Sequence, residues 1–391
     1  MLPDRVGRLP EVTPEALNVD TATPYLLRRR LIDNRAIVDG DLEIVDASRR
    51  NHSLKIVRRS GASYFLKQAG GDPTSRLTIG REAWFYSYCQ RSPSTAPLLD
   101  FLARLLVWDE TRGLIIMEHV GGRSLWSHYA DTTRRSFPSA AGAPLGRQLG
   151  MLHRLFRAEI EPEWVAGMGA PPPWILRAHR PSPDMLSRFS PAHIRILEFL
   201  QEEAILVAGL VELQRAWRPD TLIHNDLKGE NILVEDADGD TRVRIIDWEL
   251  AQLGDAAWDV GAILRDFLSY WLMSVPLSSD LTPEEMLAGA QVPLSGLHPA
   301  ARDFWEAYRA AAWSGDGATE SGFLLRAVQY AAARLVQGAH ELCSNQPVPP
   351  NLALAMLQLA ANIMADPRGA ALHLFGLAIG WRRPVHAPAG G

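Results

Sequence analysis

Residues 221–249 constrain this chain more than any other stretch. They read Thr221-Leu-Ile-His-Asn-Asp-Leu-Lys-Gly-Glu-Asn-Ile-Leu-Val234, followed ten residues later by Arg244-Ile-Ile-Asp-Trp-Glu249. Apolar Ile223 on one side and Ile232-Leu233 on the other anchor a short loop. From that loop His224, Asp226, Lys228 and Asn231 project polar groups. Two β-rich runs, Asn231–Val234 and Val243–Ile246, flank the turn Asp236–Asp240 and predict a hairpin. The hairpin is expected to return the chain so that Asp247 ends a buried strand beside Asn231. A carboxylate and an amide placed together are hard oxygen ligands, the kind Mg²⁺ prefers. Asp226 then stays outside the metal set and faces a hydroxyl nucleophile. Phosphoryl transfer needs these parts: a carboxylate for the acceptor, ligands for Mg²⁺ and a cation on the phosphates.

The rest of the chain bounds the setting. Its 391 residues suffice for two or three domains or one large bilobal one. With 40 Lys+Arg against 45 Asp+Glu, bulk charge argues for no nucleic-acid partner and no membrane surface. Cys89 and Cys343 make neither a metal spacing nor a disulfide framework, as suits a reducing cytoplasm. Met1–Pro24 has no apolar core of a secretory signal. The longest apolar run, Gly369–Trp381, falls short of the roughly 20 residues a membrane span needs. The reading is a cytoplasmic globular protein, with that run as a buried C-terminal helix.

Along the chain, residues 1–24 read as an irregular arm. A short helix is expected over Tyr25–Ile32, started by Thr23-Pro24. Strands follow at Leu42–Val45, Leu54–Val57 and Tyr64–Leu66, the last two joined by the turn Ser60-Gly61-Ala62. Helical spacing covers Thr78–Gln90. Leu105–Trp108 and Leu114–Met117 form a second hairpin. After Gly121-Gly122 the pattern turns helical, with Gly142–Arg157 and a continuous stretch Ala192–Trp217. Pro162–Pro183 reads as a long loop, Pro276–Pro299 as a break and Arg382–Gly391 as a loose tail. The expected class is α+β: an arm (1–24), a small mixed-sheet lobe (25–119), then a large helical lobe (120–391) carrying one small hairpin.

The pattern His224-x-Asp226-x-x-x-x-Asn231, with a strand-borne Asp247 after it, matches a kinase-type catalytic loop and metal aspartate. With Trp248-Glu249 in place of Phe-Gly, and with Gly254-Asp-Ala-Ala-Trp-Asp259 after it, the chain resembles the aminoglycoside phosphotransferase and choline-kinase-like branch of the protein-kinase-like fold. The resemblance covers Asp41–Asp266 by motif. It implies a bilobal kinase fold and ATP- and Mg²⁺-dependent transfer to an alcohol. On that resemblance Asp226 is the acceptor's base and Asn231 and Asp247 hold Mg²⁺. Lys67, in Tyr64-Phe-Leu-Lys-Gln68, takes the α/β-phosphates, and Glu82 on the next helix pairs with it. Met117-Glu-His-Val120 resembles the hinge whose backbone binds adenine, which brings in Glu118 and Val120. The turn Ser48-Arg-Arg-Asn-His52 stands where a phosphate-covering loop belongs but contains no glycine, so Arg50 and Asn51 are its candidates. Lys228 is assigned to the γ-phosphate or to the acceptor site, His224 to holding the loop, and Asp259 to supporting it from the helical lobe. No Ala-Pro-Glu follows, against an ordinary protein kinase.

The acceptor is less constrained. From Gly261 to Gly391 there are ten Asp/Glu and eight Lys/Arg, too balanced for a strongly acidic pocket built for a polycation. Phe267, Tyr270, Trp271, Trp305 and Tyr308 suit an aromatic cage for a choline-type cation or plain core packing. The opening, Tyr25-Leu-Leu, Asp39–Asp46 and Arg49-Arg-Asn51, also loosely resembles kinase-like enzymes of ribosomal peptide natural product biosynthesis. That implies a precursor-peptide acceptor and a lyase partner. A pseudokinase-like scaffold is the non-enzymatic alternative.

Overall fold

The computed structural model describes residues 16–48, 51–129, 139–158, 169–237, 240–278, 280–313 and 317–379. Arg49 and Arg50, the arm up to residue 15, residues 162–168 of the proline-rich loop, the turn pair Asp238-Gly239 and the tail 382–391 lie outside the described residues. The chain divides into two compact units, Met1–Gly121 with Ile246–Leu250, and Gly122–Ile245 with Ala251–Gly391.

The first unit opens with α1 (Val19–Arg28) and α2 (Asn34–Val38). The first helix starts six residues earlier than Tyr25. Asn18 caps it, accepting from the N–H groups of Asp20 and Thr21, while Thr21 Oγ1 accepts from Asn18 N. This reciprocal capping box outweighs the Thr-Pro signal and carries the helix through Pro24. Five strands follow, β1 (Leu42–Asp46), β2 (His52–Arg58), β3 (Tyr64–Gln68), β4 (Leu105–Asp109) and β5 (Leu114–Glu118), with α3 (Pro73–Arg91) between β3 and β4. Their order is β1-β2-β3-β5-β4, and every pair is antiparallel rather than mixed. Consecutive hairpins supply β1–β2, β2–β3 and β4–β5, while α3 carries the chain to the far edge so that β5 returns beside β3. Alternation sorts the two faces. Leu54, Ile56, Leu66, Leu114 and Ile116 pack with Tyr25, Leu26 and Ala36. Ser53, Lys67 and Ile115, in register with one another, occupy the other face. Asp72 and Pro73 begin α3 five residues before Thr78, as an N-cap followed by an N1 proline.

The second unit contains β6 (Arg123–Ser124), α4 (Leu125–Tyr129), α5 (Gly142–Ala158), α6 (Pro183–Leu186), α7 (Pro191–Glu202) and α8 (Ala204–Arg215). Next come β7 (Thr221–Ile223), β8 (Ile232–Ala237), β9 (Asp240–Ile245) and β10 (Gln252–Gly254). It closes with α9 (Ala256–Met273), α10 (Pro283–Ala288), α11 (His298–Ala312), α12 (Gly317–Leu342), α13 (Asn351–Ala365) and α14 (Pro367–Phe375). The expected continuous helix 192–217 is two helices, broken at Glu203. The reason is phase. Ala192, Ile196 and Leu200 share one buried stripe, and Leu206, Leu210 and Leu213 another. The step of six from Leu200 to Leu206 turns an ideal helix by about 240°, so one straight helix cannot bury both stripes. The Pro276–Pro299 break holds α10, started by a Thr282/Glu285 capping box. The C-terminal helix stops at Gly376, whose φ of +68° is left-handed, rather than running to Trp381.

β8 and β9 pair with Ile232 opposite Ile245, and β6 adds to the edge of β8. A second antiparallel pair, β7 with β10, was not foreseen because each strand has only three residues. Three glycines spaced four apart on α5 let it approach α11. A Cβ on Gly142, Gly146 or Gly150 would stand 2.6, 2.2 or 2.5 Å from a carbonyl oxygen of Ala300, Phe304 or Tyr308.

Candidate active site

In the first unit, Lys67 projects from the sheet face that α3 covers. Its Nζ lies 2.8 Å from Glu82 Oε2 and 3.9 Å from Glu249 Oε2, and it donates to Asp247 Oδ1. Asn51 Nδ2 donates to Glu249 Oε2 at 2.7 Å. Trp248 fixes the 246–250 segment. It is fully buried and stacks on Phe85 of α3, with ring centroids 4.0 Å apart. Phe85 is one helical turn from Glu82, so one face of α3 positions both the lysine's partner and the aspartate's neighbour. Asp247 has a left-handed backbone, φ +70°. A non-glycine residue there costs free energy and persists where surrounding packing holds it, a pattern common at functional sites.

The electrostatics follow from this crowding. Burial depresses the Lys67 ammonium, but Glu82, Asp247 and Glu249 outweigh it, and the group is held charged more firmly than usual. Burial pushes the Glu82 carboxyl well above its ordinary value, against the pull of Lys67. Carboxylate oxygens of Glu82, Asp247 and Glu249 all lie within 4.8 Å of one another. Glu82 Oε1 and Asn51 Oδ1 are buried oxygens without a hydrogen bond. Three carboxylates around one ammonium leave an excess of negative charge on hard oxygens, so the residues present fit Mg²⁺. Glu249 was absent from the sequence-derived candidates. Its signal was its place two residues after Asp247, in the turn Trp248–Leu250. Glu118 ends β5 and Val120 follows it, half-buried. The N–H groups of Glu118 and His119 donate to Arg104 O and Ser63 O.

In the second unit, β7 feeds the loop His224–Asn231. Buried Asp259 on α9 accepts from His224 N at 2.7 Å and Asn225 N at 3.0 Å, and lies 3.4 Å from His153 Nε2. His153 Nδ1 is 2.9 Å from the Tyr308 hydroxyl. Burial alone would raise the Asp259 carboxyl, but His153 and the His224 N–H hold it below the usual carboxylate range. His224 Nδ1 accepts from Asp226 N at 3.2 Å, so the imidazole spans the loop from inside. Asn225 is left-handed, φ +68°. Lys228 Nζ donates to Asp226 Oδ2 at 2.8 Å. Asn231 Nδ2 donates to Asp226 O at 2.9 Å and to its Oδ2 at 3.3 Å. Arg334 of α12 donates to Leu227 O at 3.0 Å, and Asp266 of α9 accepts from Gly229 N at 3.3 Å.

The structure therefore groups the candidates into two sets: Lys67, Glu82 and Asp247, with Asn51 joined through Glu249, and Asp226, Lys228 and Asn231. Residues 45–278, more than half of the chain, match the family model of the phosphotransferase enzyme family. The chain belongs to that family. Among solved structures, this phosphotransferase resembles a choline kinase from Cryptosporidium parvum Iowa II at 11% identity and a TM-score of 0.52, over 91% of this chain and 98% of that one. It also matches a microcompartment-associated aminopropanol kinase, at 15% identity and a TM-score of 0.49, over 91% and 99% of the two chains. A type I macrolide 2′-phosphotransferase matches at 14% identity and a TM-score of 0.45, over 90% and 98%. No curated protein sequence matches it. The likeness to the choline kinase shows the fold, α+β and kinase-like, with an antiparallel sheet and a large helical part. No helix among the described residues is long and apolar enough to cross a membrane.

Proposed function

We propose that this phosphotransferase moves the γ-phosphoryl group of ATP to a hydroxyl group of a small-molecule acceptor. The observation that carries the reading is the buried ammonium of Lys67, held between Glu82 and Asp247 in a cluster with surplus negative charge. A structural ion pair has no need of two further carboxylates. A site that receives polyphosphate together with a divalent cation does. Lys67 contacts the α/β-phosphates, and Glu82 keeps it extended. Asp247 and Glu249 supply oxygens suited to Mg²⁺, which when bound would neutralise phosphate charge. Asn51 orients Glu249 through its amide.

On the acceptor side, Lys228 and Asn231 both hold Asp226 Oδ2, which leaves Oδ1 for the acceptor's hydroxyl proton. His224 and Asp259 fix the backbone on which Asp226 sits. The test is ADP release on adding a panel of amino alcohols and sugars, with wild type and Asp226→Asn. Turnover with at least one acceptor, lowered by about 10²–10⁴ in the variant, is the expected result for a positioned general base. ADP release indifferent to Asp226, or no acceptor that raises it, contradicts the reading.

A further inference from the structure

The second unit has a cavity of about 540 Å³ that the chemistry above does not use. Among the described residues, three guanidinium groups line it, Arg157, Arg218 and Arg326, with one carboxylate, Asp220, and two aromatic rings, Trp313 and Phe323. Its volume is that of a metabolite site. Each arginine is placed differently. Arg157 Nε is 3.4 Å from Asp220 Oδ2. Arg326 is fastened by Nε and Nη2 to the buried Asp255, at 2.7 and 3.1 Å, with its guanidinium carbon 5.5 Å from the centre of the Phe323 ring. Arg218 is exposed. Counting Asp255 behind Arg326, three positive groups face two negative ones among the described residues, a net positive charge. Trp313 and Phe323 meet edge to face, with centroids 4.7 Å apart, and form a rigid apolar flank.

We infer that this cavity binds a phosphate monoester on a flat, apolar body, with the head group among Arg157, Arg218 and Arg326 and the body against Trp313 and Phe323. Arginine forks match phosphate oxygens in pairs, and several around one cavity favour a dianion over a single carboxylate. The site is separate from the catalytic loop. Asp220 precedes β7, whereas His224 follows it, and three extended residues span about 10 Å. Both walls nevertheless lead into that loop. Asp220 enters β7 directly, and Asp255 caps α9, the helix that carries Asp259.

The experiment is calorimetric titration of the full chain with phenyl phosphate and with inorganic phosphate, each with and without saturating Mg·ATP. The expected result is saturable binding of phenyl phosphate that ATP leaves intact and that is tighter than binding of inorganic phosphate. Arg218→Ala, an exposed position, weakens it about tenfold or more, as loss of one charge-assisted hydrogen bond does. Absence of saturable binding, displacement by ATP, or identical curves for wild type, Arg218→Ala and Arg157→Gln would overturn the inference. The readout is binding itself, so it stands or falls independently of turnover.

Discussion

Lys67 shows how much one side chain depends on its neighbours. Its ammonium is nearly buried and persists as a charge because Glu82, Asp247 and Glu249 surround it. Replacing it by Met leaves Glu82 buried without its counter-ion, which costs on the order of 3–5 kcal/mol of stability. Lys67→Met therefore lowers the denaturation midpoint and weakens ATP binding, and adding Glu82→Gln restores most of the stability but none of the binding. Chemical denaturation of the two variants, with nucleotide titration, checks both halves. Asp266 behaves differently. It is buried on α9, and burial lifts its pKa from an ordinary 3.8 to about 6. A carboxyl raised on folding contributes stability in full below the unfolded value, and that contribution is lost as pH rises through the folded value. The loss falls between about pH 4 and 6 and amounts to at most about 3 kcal/mol. Melting curves across that range should fall more steeply for wild type than for Asp266→Asn, which keeps an acceptor for Gly229 N. Parallel curves would refute the assignment.

At the scale of elements, two helical glycines carry opposite expectations. Gly146 sits where α5 meets α11, and an added methyl would stand 2.2 Å from a carbonyl oxygen. Backbone cannot yield as a side-chain tip can, so Gly146→Ala forces the helices apart and costs about 1–3 kcal/mol or more. Gly80 on α3 has nothing within 4 Å of its would-be Cβ, so Gly80→Ala stabilises by about 0.5–1 kcal/mol. Paired thermal melts decide both signs. The same contrast explains what was legible in the sequence. Strands β1–β5 and helix α3 were, because alternation and a long helical run survive in one dimension. So was the position of the loop His224–Asn231 between two strands, because apolar Ile223 and Ile232-Leu233 bracket it. The start of α1 was misplaced because Thr-Pro competes with an Asn18 cap that only geometry ranks. The break at Glu203 follows from apolar phase, which a count of helix formers does not see. β7 and β10 are too short for alternation to register. Glu249 escaped because its role depends on the turn at Trp248, and that turn depends on stacking against Phe85, far away in sequence.

At the scale of the whole molecule, the family match runs from β1 through α9 and ends at residue 278. Every residue assigned to the nucleotide, the metal or the acceptor's proton lies within it, whereas α10–α14 lie beyond it, as does Arg326 of the second cavity. The Lys67–Glu82–Asp247–Glu249 cluster is proposed above to receive nucleotide together with a divalent cation. Calorimetric titration of ATP, with and without Mg²⁺, on wild type and Asp247→Asn tests it most directly. Binding that Mg²⁺ strengthens is expected in the wild type, with that Mg²⁺-dependent gain reduced about tenfold or more in Asp247→Asn, the scale expected for a lost charged ligand. Binding indifferent to both Mg²⁺ and Asp247, or no binding at all, would contradict it.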